Sequence, residues 1–340
     1  MSLPKILLIG ANGQIGTELA VELALRHGSA AVVTSDLAPQ GRVLGLTHEA
    51  LDCTDIGALT GIVERHGITQ IYHLAAALSA RGEKHPMWAW DLNMKGLLGV
   101  LEVARSHKLE RIFWPSSIAA FGPGTPQDQT PQKTVMDPST VYGISKLAGE
   151  GWCAWYQQHH GVDVRSLRYP GLISWKTPPG GGTTDYAVEI FHAALKHGRY
   201  TCFLEADQAL PMMYMPDAIR ATLQLMQTPA EKLRERGAYN LAGISVTPSQ
   251  IAAAIRKRLP AFTMDVEPDF RQAIAASWPR SLDDCVAKRD WGWRPQYDLQ
   301  AMVDDMLANL QRASIQAASS STSNTKVAFG GIAPPAPRAP

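Results

Sequence analysis

Tyr142 and Lys146 are the residues whose types and spacing point most clearly to chemistry. They lie four residues apart in VYGISK, so a helix would carry both side chains on one face. A tyrosine with a pKa of about 10 is a poor base at neutral pH, but a neighbouring ammonium stabilises its phenolate and lowers that pKa. The pair therefore predicts proton transfer with a substrate hydroxyl, although the same spacing also occurs in ordinary surface pairs.

Two adjacent hydroxyls, Ser116 and Ser117, follow the apolar run of RIFWPSS. In open parallel sheets ligands bind at the carboxyl ends of the strands, where a hydroxyl can donate to a substrate. Capping of the strand end is the competing interpretation for both serines. The sequence leaves open which of the two would contact a substrate.

Gly10, Gly13 and Gly16 form a GxxGxxG pattern between a strand-like run and a helix-like run. Such glycines permit a tight turn and close approach to a pyrophosphate, which the N-terminus of the following helix attracts. Asp36 follows the third glycine by twenty positions and ends the next strand-like run. A carboxylate there can accept hydrogen bonds from an adenosine ribose and repel the extra phosphate of NADP, so the pattern predicts NAD. A glycine turn without a ligand and a capping role for Asp36 are the alternatives.

Further cofactor contacts are expected from Asp52 in LDCTD and from HLAAA, because both segments fall at strand ends. Each could equally serve as a local cap or as core packing.

The elements that must position these residues alternate between strand and helix. The predicted strands are KILLIG, AAVVTSD, ITQIYHLAAA, RIFWPSS and VDVRSLRYP, separated by helix-length sequence. Their continuous apolar character predicts an α/β fold with a doubly wound parallel sheet covered on both faces. The dinucleotide-binding domain is expected over residues 1–172, rejoined by about 211–241. A smaller mixed substrate-binding domain is expected over 173–312, and a low-complexity tail over 313–340.

Composition excludes several functional classes. The 340 residues include 32 basic and 31 acidic side chains, a net charge of +1, which gives no electrostatic basis for binding nucleic acid. No apolar run is long enough for a membrane span, and no secretory signal is recognisable, so a cytoplasmic location is expected. The four scattered cysteines are expected to be reduced thiols without structural zinc.

Together with Asn93 and PSSIAAFG, these motifs resemble the extended short-chain dehydrogenase/reductases, which include nucleotide-sugar epimerases and dehydratases. The resemblance covers roughly residues 4–310 and implies a Rossmann fold that binds NAD. Three longer strings are similar to the branch of that family that oxidises L-threonine: PGLISWKTPPGGGTTDYAVEIF, MMYMPDAIRATLQLM and SWPRSLDDCVAKRDWGW. The implied product is L-2-amino-3-oxobutanoate. An epimerase acting on a nucleotide sugar and an NAD-sensing regulatory protein are the alternatives.

The resemblance also implies residue roles. Tyr142 would be the general base, Lys146 would tune it and hold the nicotinamide ribose, and Ser117 would orient the substrate with Ser116 beside it. Asn93 would help to organise a proton path, whereas Phe121 replaces the family's usual tyrosine and lacks its hydroxyl. The implied cofactor contacts are Gly10, Asn12, Gly13, Gln14, Ile15, Gly16, Asp36, Leu37, Asp52, Cys53, Leu74, Ala75, Ala76, Asn93, Pro115, Tyr142, Lys146, Tyr169, Pro170, Gly171 and Ile173. The implied substrate contacts are Ser79, Ser117, Tyr142, Gly180, Thr183, Thr184 and Trp278.

The glycine-rich segment 180–184 is expected to close over a small zwitterion, with a plain domain linker as the alternative, and Gly181→Pro would separate the two. Helices around 93–107 and 142–158 predict a homodimer, for which the resemblance implies a four-helix interface. It also suggests 2-amino-3-ketobutyrate CoA ligase as a metabolic partner. Neither nucleic acid nor a membrane is expected as a partner, and no metal is needed.

Overall fold

The computed structural model describes residues 3–177, 180 and 182–324. Position 181, and with it the Gly181→Pro test, lies outside the described residues. The strands are β1 (Ile6–Ile9), β2 (Val32–Asp36), β3 (Thr47–Ala50), β4 (Gln70–His73), β5 (Arg111–Phe113), β6 (Ser116–Ser117), β7 (Val164–Arg165), β8 (Leu167–Tyr169), β9 (Gly171–Ile173), β10 (Arg199–Cys202), β11 (Leu210–Tyr214), β12 (Tyr239–Asn240), β13 (Ile244–Val246) and β14 (Thr263–Val266). The helices are α1 (Gln14–His27), α2 (Ile56–His66), α3 (Ser79–Lys84), α4 (Pro86–Ser106), α5 (Val141–His160), α6 (Tyr186–His197), α7 (Met215–Gln227), α8 (Pro248–Arg256), α9 (Arg271–Ala276), α10 (Cys285–Trp291) and α11 (Leu299–Asn324).

A six-stranded parallel sheet in the order β3-β2-β1-β4-β5-β7 forms the centre of the fold. The predicted doubly wound α/β architecture is confirmed. Strand order reverses between β1 and β4, which creates the crevice where such sheets bind ligands. β3 was not predicted, because its residues THEA are polar and it lies at the exposed edge of the sheet.

Side chains of β1 are buried on both faces of the sheet, which explains its uninterrupted apolar sequence. Ile6 and Leu8 join a core with α1 and α7. Leu7 and Ile9 join a second core with α2 and α4. The strand therefore fixes the glycine turn that follows it between two packed layers.

A smaller mixed region follows β9. There β11 pairs in parallel with β9 and antiparallel with β13, while β10 pairs with β14. A third core joins this region to α6, α8 and α11. After β11 the chain returns to the first region, where α7 packs against α1.

The last helix, α11, continues to Asn324 and so extends into the segment predicted as a low-complexity tail. The side chains at 311–316 are exposed, so this part of the helix contributes little to the core. Within the described ranges, no helix combines the length and apolar character that a bilayer span requires.

Candidate active site

The glycine turn between β1 and α1 brings the backbone close to the loop after β4. Gly10 has a φ of +80°, and a Cβ there would lie 2.7 Å from the nitrogen of Ala75. A Cβ on Gly16 would lie 2.3 Å from the carbonyl oxygen of Gly10. Gly10 and Gly16 are therefore required by the protein's own packing, whereas Gly13 lines the cavity above the turn.

α1 begins directly after Gly13 with no side-chain cap, so its first N–H groups remain available to a ligand. The start of this helix suits a pyrophosphate, because those N–H groups and the helix dipole attract anions. Beside it, the backbone N–H of Asn12 donates to Asp36 Oδ2 at 3.0 Å. This contact fixes the Asp36 carboxylate at the cavity, where its other oxygen can accept from a ribose hydroxyl. The residues present therefore fit NAD.

A cavity of about 350 Å³, called the cofactor-side cavity below, lies over the carboxyl ends of the strands. Asp52 lines it and also accepts the N–H and hydroxyl of Thr54 through Oδ1, so it is both a local cap and a cavity residue. Hydrogen bonds from Thr54 lower the pKa of the Asp52 carboxyl. The cavity is lined by Ile9, Gly10, Gly13, Asp36, Leu37, Leu51, Asp52, Cys53, Leu74, Ala75, Ala76, Ala77, Leu78, Arg81, Trp88, Leu92 and Gly180.

A second, substrate-side cavity of about 180 Å³ adjoins the first, and Leu74, Ala76 and Leu78 line both. It brings the predicted tyrosine, lysine and serines together with residues of the smaller region. Its lining comprises Gln14, Ile15, Leu74, Ala76, Leu78, Ser79, Pro115, Ser116, Ser117, Ile118, Tyr142, Lys146, Tyr169, Pro170, Gly171, Leu172, Gly182, Thr183, Thr184, Asp185 and Trp278.

Helix α5 carries Tyr142 to this cavity because of two local features. The Thr140 hydroxyl caps the helix by accepting the N–H of Gly143 at 3.0 Å. Gly143 also lets α5 lie against the turn after β6, because a Cβ there would lie 2.1 Å from the Ala119 carbonyl oxygen. Tyr142 is thereby brought beside Ser117, at the end of β6.

The structure reverses the expected direction for the pKa of Tyr142. Burial raises this pKa to about 12, and a hydrogen bond with Ser117 opposes the increase only in part. The ammonium of Lys146 donates to the Pro115 carbonyl oxygen at 2.6 Å and lies 4.4 Å from the centroid of the Trp114 ring. Burial lowers the pKa of Lys146 itself to about 7, although Cys153 and Glu150 oppose this shift.

The two serines have different environments. Ser116 is buried and its hydroxyl donates to Glu150 Oε1 at 2.6 Å. Glu150 is in turn paired with Arg168, which donates from Nη2 to Oε2 at 2.8 Å. Ser117 instead accepts the N–H of Ala119 and interacts with Tyr142. The geometry therefore assigns Ser116 to a buried ion pair and Ser117 to the tyrosine.

Residues from the smaller region complete the substrate-side cavity. The hydroxyl of Thr183, from the smaller region, lies 3.5 Å from that of Ser79, the first residue of α3. Trp278, which follows α9, also lines the cavity. Gly180, predicted as a substrate contact, lines the cofactor-side cavity instead, where a Cβ on it would lie 3.5 Å from Leu78 Cδ1. Gly180 borders one cavity, whereas Thr183 and Thr184 border the other.

Asn93 lines neither cavity. Its Oδ1 accepts the N–H of Ala77 at 2.7 Å, and its Nδ2 donates to Ser145 Oγ at 3.0 Å. Asn93 therefore joins the loop after β4 to α5, one turn from Tyr142, and is a positioning residue. Three other predicted cofactor contacts also lie outside the two linings: Asn12, Gly16 and Ile173.

Sequence reasoning missed several lining residues, of which Arg81 and Trp88 are the largest. They come from α3 and α4, and the Arg81 guanidinium lies 4.5 Å from the centroid of the Trp88 ring. No motif marks this pair, because the position of α3 depends on the tertiary fold. The other lining residues that were missed are Ile9, Leu51, Leu78, Leu92, Ile118 and Asp185.

Comparisons with known proteins agree with this geometry. The model of the NAD-dependent epimerase/dehydratase family matches residues 6–242. A solved structure described as a GalE-like L-threonine dehydrogenase from Cupriavidus necator, in the holo form, is 70% identical with a TM-score of 0.90 and covers 90% of this chain and 100% of that chain. The L-threonine dehydrogenase from Phytophthora infestans is 48% identical with a TM-score of 0.88, covering 91% of this chain and 99% of its own. A curated relative from Staphylococcus saprophyticus, described as an uncharacterized epimerase/dehydratase, is 47% identical over 89% of this chain and 96% of its own length.

Proposed function

The chain belongs to the NAD-dependent epimerase/dehydratase family, and we propose that it oxidises the side-chain hydroxyl of L-threonine with NAD, giving L-2-amino-3-oxobutanoate, NADH and a proton. The observation that carries the proposal is the meeting of Tyr142 and Ser117 with the hydroxyls of Thr183 and Ser79 in one small cavity. The high identity to two L-threonine dehydrogenases supports the choice of substrate.

The size of the substrate-side cavity supports a small substrate. Its volume of about 180 Å³ is below the roughly 300–1,000 Å³ of sites that enclose drug-sized ligands. A nucleotide sugar needs space for a second nucleoside, whereas an amino acid of eight heavy atoms does not. This observation disfavours the epimerase alternative.

In the proposed reaction, Ser117 and Tyr142 bind the substrate hydroxyl between them. Bound NAD supplies the hydride acceptor. Tyr142, as phenolate, takes the hydroxyl proton at its phenolic oxygen as the hydride leaves the β-carbon, so the alcohol becomes a ketone. Lys146 Nζ lies 5.4 Å from the centroid of the Tyr142 ring, and its charge when protonated stabilises the phenolate.

Removal of the Tyr142 hydroxyl tests the proposal directly. Tyr142→Phe leaves the ring in place but abolishes proton transfer, so we expect turnover of L-threonine to fall at least about a hundredfold, the lower end of the range for acid–base groups. Calorimetric binding of NAD should be retained, which separates the loss of chemistry from a loss of folding.

Tyr186→Phe provides a matched control. Tyr186 is fully buried, and its hydroxyl has no hydrogen-bond partner among the described residues. It lies outside both cavity linings, so the same chemical change there should leave turnover near the wild-type value. Wild-type turnover in Tyr142→Phe would remove this residue from the proposed role.

The proposal includes a homodimer, a metabolic partner and a cellular location. An exposed apolar face on α5 includes Ile144, Trp152 and Trp155, which are 45%, 40% and 42% exposed. This face supports a homodimer formed through α4 and α5, since large exposed apolar patches mark interaction sites. The β-keto acid product suits consumption by 2-amino-3-ketobutyrate CoA ligase, and we propose a cytoplasmic location for both steps.

A further inference from the structure

Arg81 is the one cationic side chain among the described residues that line the cofactor-side cavity. The same lining contains two carboxylates, those of Asp36 and Asp52. The described ion pairs give Arg81 no acidic partner; its guanidinium instead lies over the Trp88 ring, 4.5 Å from the centroid. The cavity thus holds an arginine that is positioned by an aromatic face and not neutralised by a neighbouring side chain.

The position of Arg81 is fixed by α3 and α4. Leu78, which precedes α3, lines both cavities, and Arg81 follows it by three residues. The glycines of the turn, Gly10 and Gly13, border the same cavity as Arg81. Arg81 therefore belongs to the cavity that contains the glycine turn, near its junction with the substrate-side cavity.

The charge balance of this cavity favours a cationic side chain when a pyrophosphate binds. A pyrophosphate carries two negative charges, and it would enter a cavity that already contains two carboxylates. The N-terminus of α1 provides only a partial positive charge of about half a unit. A guanidinium supplies a full charge and a planar fork of N–H donors that matches phosphate oxygens.

We propose that Arg81 binds the pyrophosphate of the dinucleotide, and that the Trp88 ring holds the guanidinium at the cavity for this contact. The inference rests on the proposed use of NAD. Adenosine is neutral and offers no comparable anionic partner, so the contact should distinguish ligands with a pyrophosphate from those without one.

Titration calorimetry of the purified full-length protein with NAD, ADP-ribose and adenosine tests the assignment. In Arg81→Gln we expect the Kd for NAD and for ADP-ribose to rise about tenfold, the modest effect of losing one charge-assisted contact at an exposed side chain. The Kd for adenosine should stay unchanged. The wild-type Kd for ADP-ribose should also rise more steeply with added salt than that of the variant, because salt screens exposed charges.

Lys84→Gln is the matched control. Lys84 lies on the same helix and carries the same charge, but it does not line the cavity. Its loss should leave all three Kd values near those of the wild type. If the Kd for ADP-ribose rises equally in both variants, the effect comes from the net charge of the protein, and the proposal is overturned.

Two further outcomes separate the proposals. The pyrophosphate contact would be overturned if Arg81→Gln binds ADP-ribose with the wild-type Kd, or if its Kd for adenosine rises as much as its Kd for ADP-ribose. Either outcome would leave the proposed NAD-dependent reaction intact. A wild-type protein that binds neither NAD nor ADP-ribose would overturn the proposed function and this contact together.

Discussion

Substitution of the two adjacent serines should separate stability from catalysis. Ser116 and Ser117 are neighbours in sequence, yet the Ser116 hydroxyl donates to the buried carboxylate of Glu150 and Ser117 interacts with Tyr142. We expect Ser116→Ala to lower stability and leave turnover largely intact. Ser117→Ala should lower turnover and leave stability largely intact.

The magnitude for Ser116→Ala follows from one lost charge-assisted hydrogen bond. The bond to Glu150 Oε1 is 2.6 Å long, and Glu150 keeps its pairing with Arg168 after the substitution. Hydrogen bonds to charged groups contribute about 1.5–3 kcal/mol to the free energy of unfolding. At about 2 °C per kcal/mol for a chain of this size, the Tm should fall by about 3–6 °C.

The expectation for Ser117→Ala is a kinetic loss. Its hydroxyl accepts one backbone N–H, from Ala119, so its removal should cost about 1 kcal/mol of stability or less. In the reaction, however, Tyr142 loses the hydrogen bond that opposes the effect of burial on its pKa. Removing one preorganised donor from a reacting oxygen typically lowers kcat by about 10²–10³, so we expect a fall of about a hundredfold.

Thermal denaturation and steady-state NADH production on the same preparations measure both effects. The reasoning would be refuted by a Ser116→Ala variant with wild-type Tm and impaired kcat, paired with a Ser117→Ala variant that turns over normally. Such a result would assign the substrate contact to Ser116.

Two other predictions concern cofactor choice and pH. Asp36→Arg removes the carboxylate that Asn12 orients and adds a cation that suits a 2′-phosphate. The ratio of kcat/KM values should therefore shift from NAD toward NADP. An unchanged ratio would contradict the ribose contact of Asp36. Burial lowers the pKa of Lys146 from its usual value of 10.5 to about 7, so the folded protein binds fewer protons between these values and its stability should rise with pH across that window. Urea unfolding of the cofactor-free wild type and of Lys146→Met at pH 7 and pH 9.5 checks this. From pH 7 to pH 9.5 the free energy of unfolding of the wild type should increase relative to that of the variant, and the absence of this increase would contradict the prediction.

Local sequence patterns were sufficient to predict the centre of the fold. Four apolar runs became β1, β2, β4 and β5, because strands buried on both faces need continuous apolar sequence. The glycine spacing located the turn before α1, and the four-residue spacing of Tyr142 and Lys146 located one face of α5.

Features that depend on tertiary contacts were not predictable in this way. β3 is polar because it forms a sheet edge, so it gave no apolar signal. The pKa direction of Tyr142 depends on burial, and the ammonium of Lys146 is engaged by the Pro115 carbonyl oxygen, which no spacing rule anticipates. The positions of Arg81 and Trp88 likewise arise from how α3 and α4 pack above the sheet.

The most direct test of the central claim is absorbance of NADH during incubation of the purified protein with NAD and L-threonine, alongside L-serine, D-threonine and a UDP-sugar. The account predicts NADH formation with L-threonine that depends on both Tyr142 and Ser117. No NADH with L-threonine, together with isomerisation of the UDP-sugar without net NADH, would contradict it and assign the same site to an epimerase.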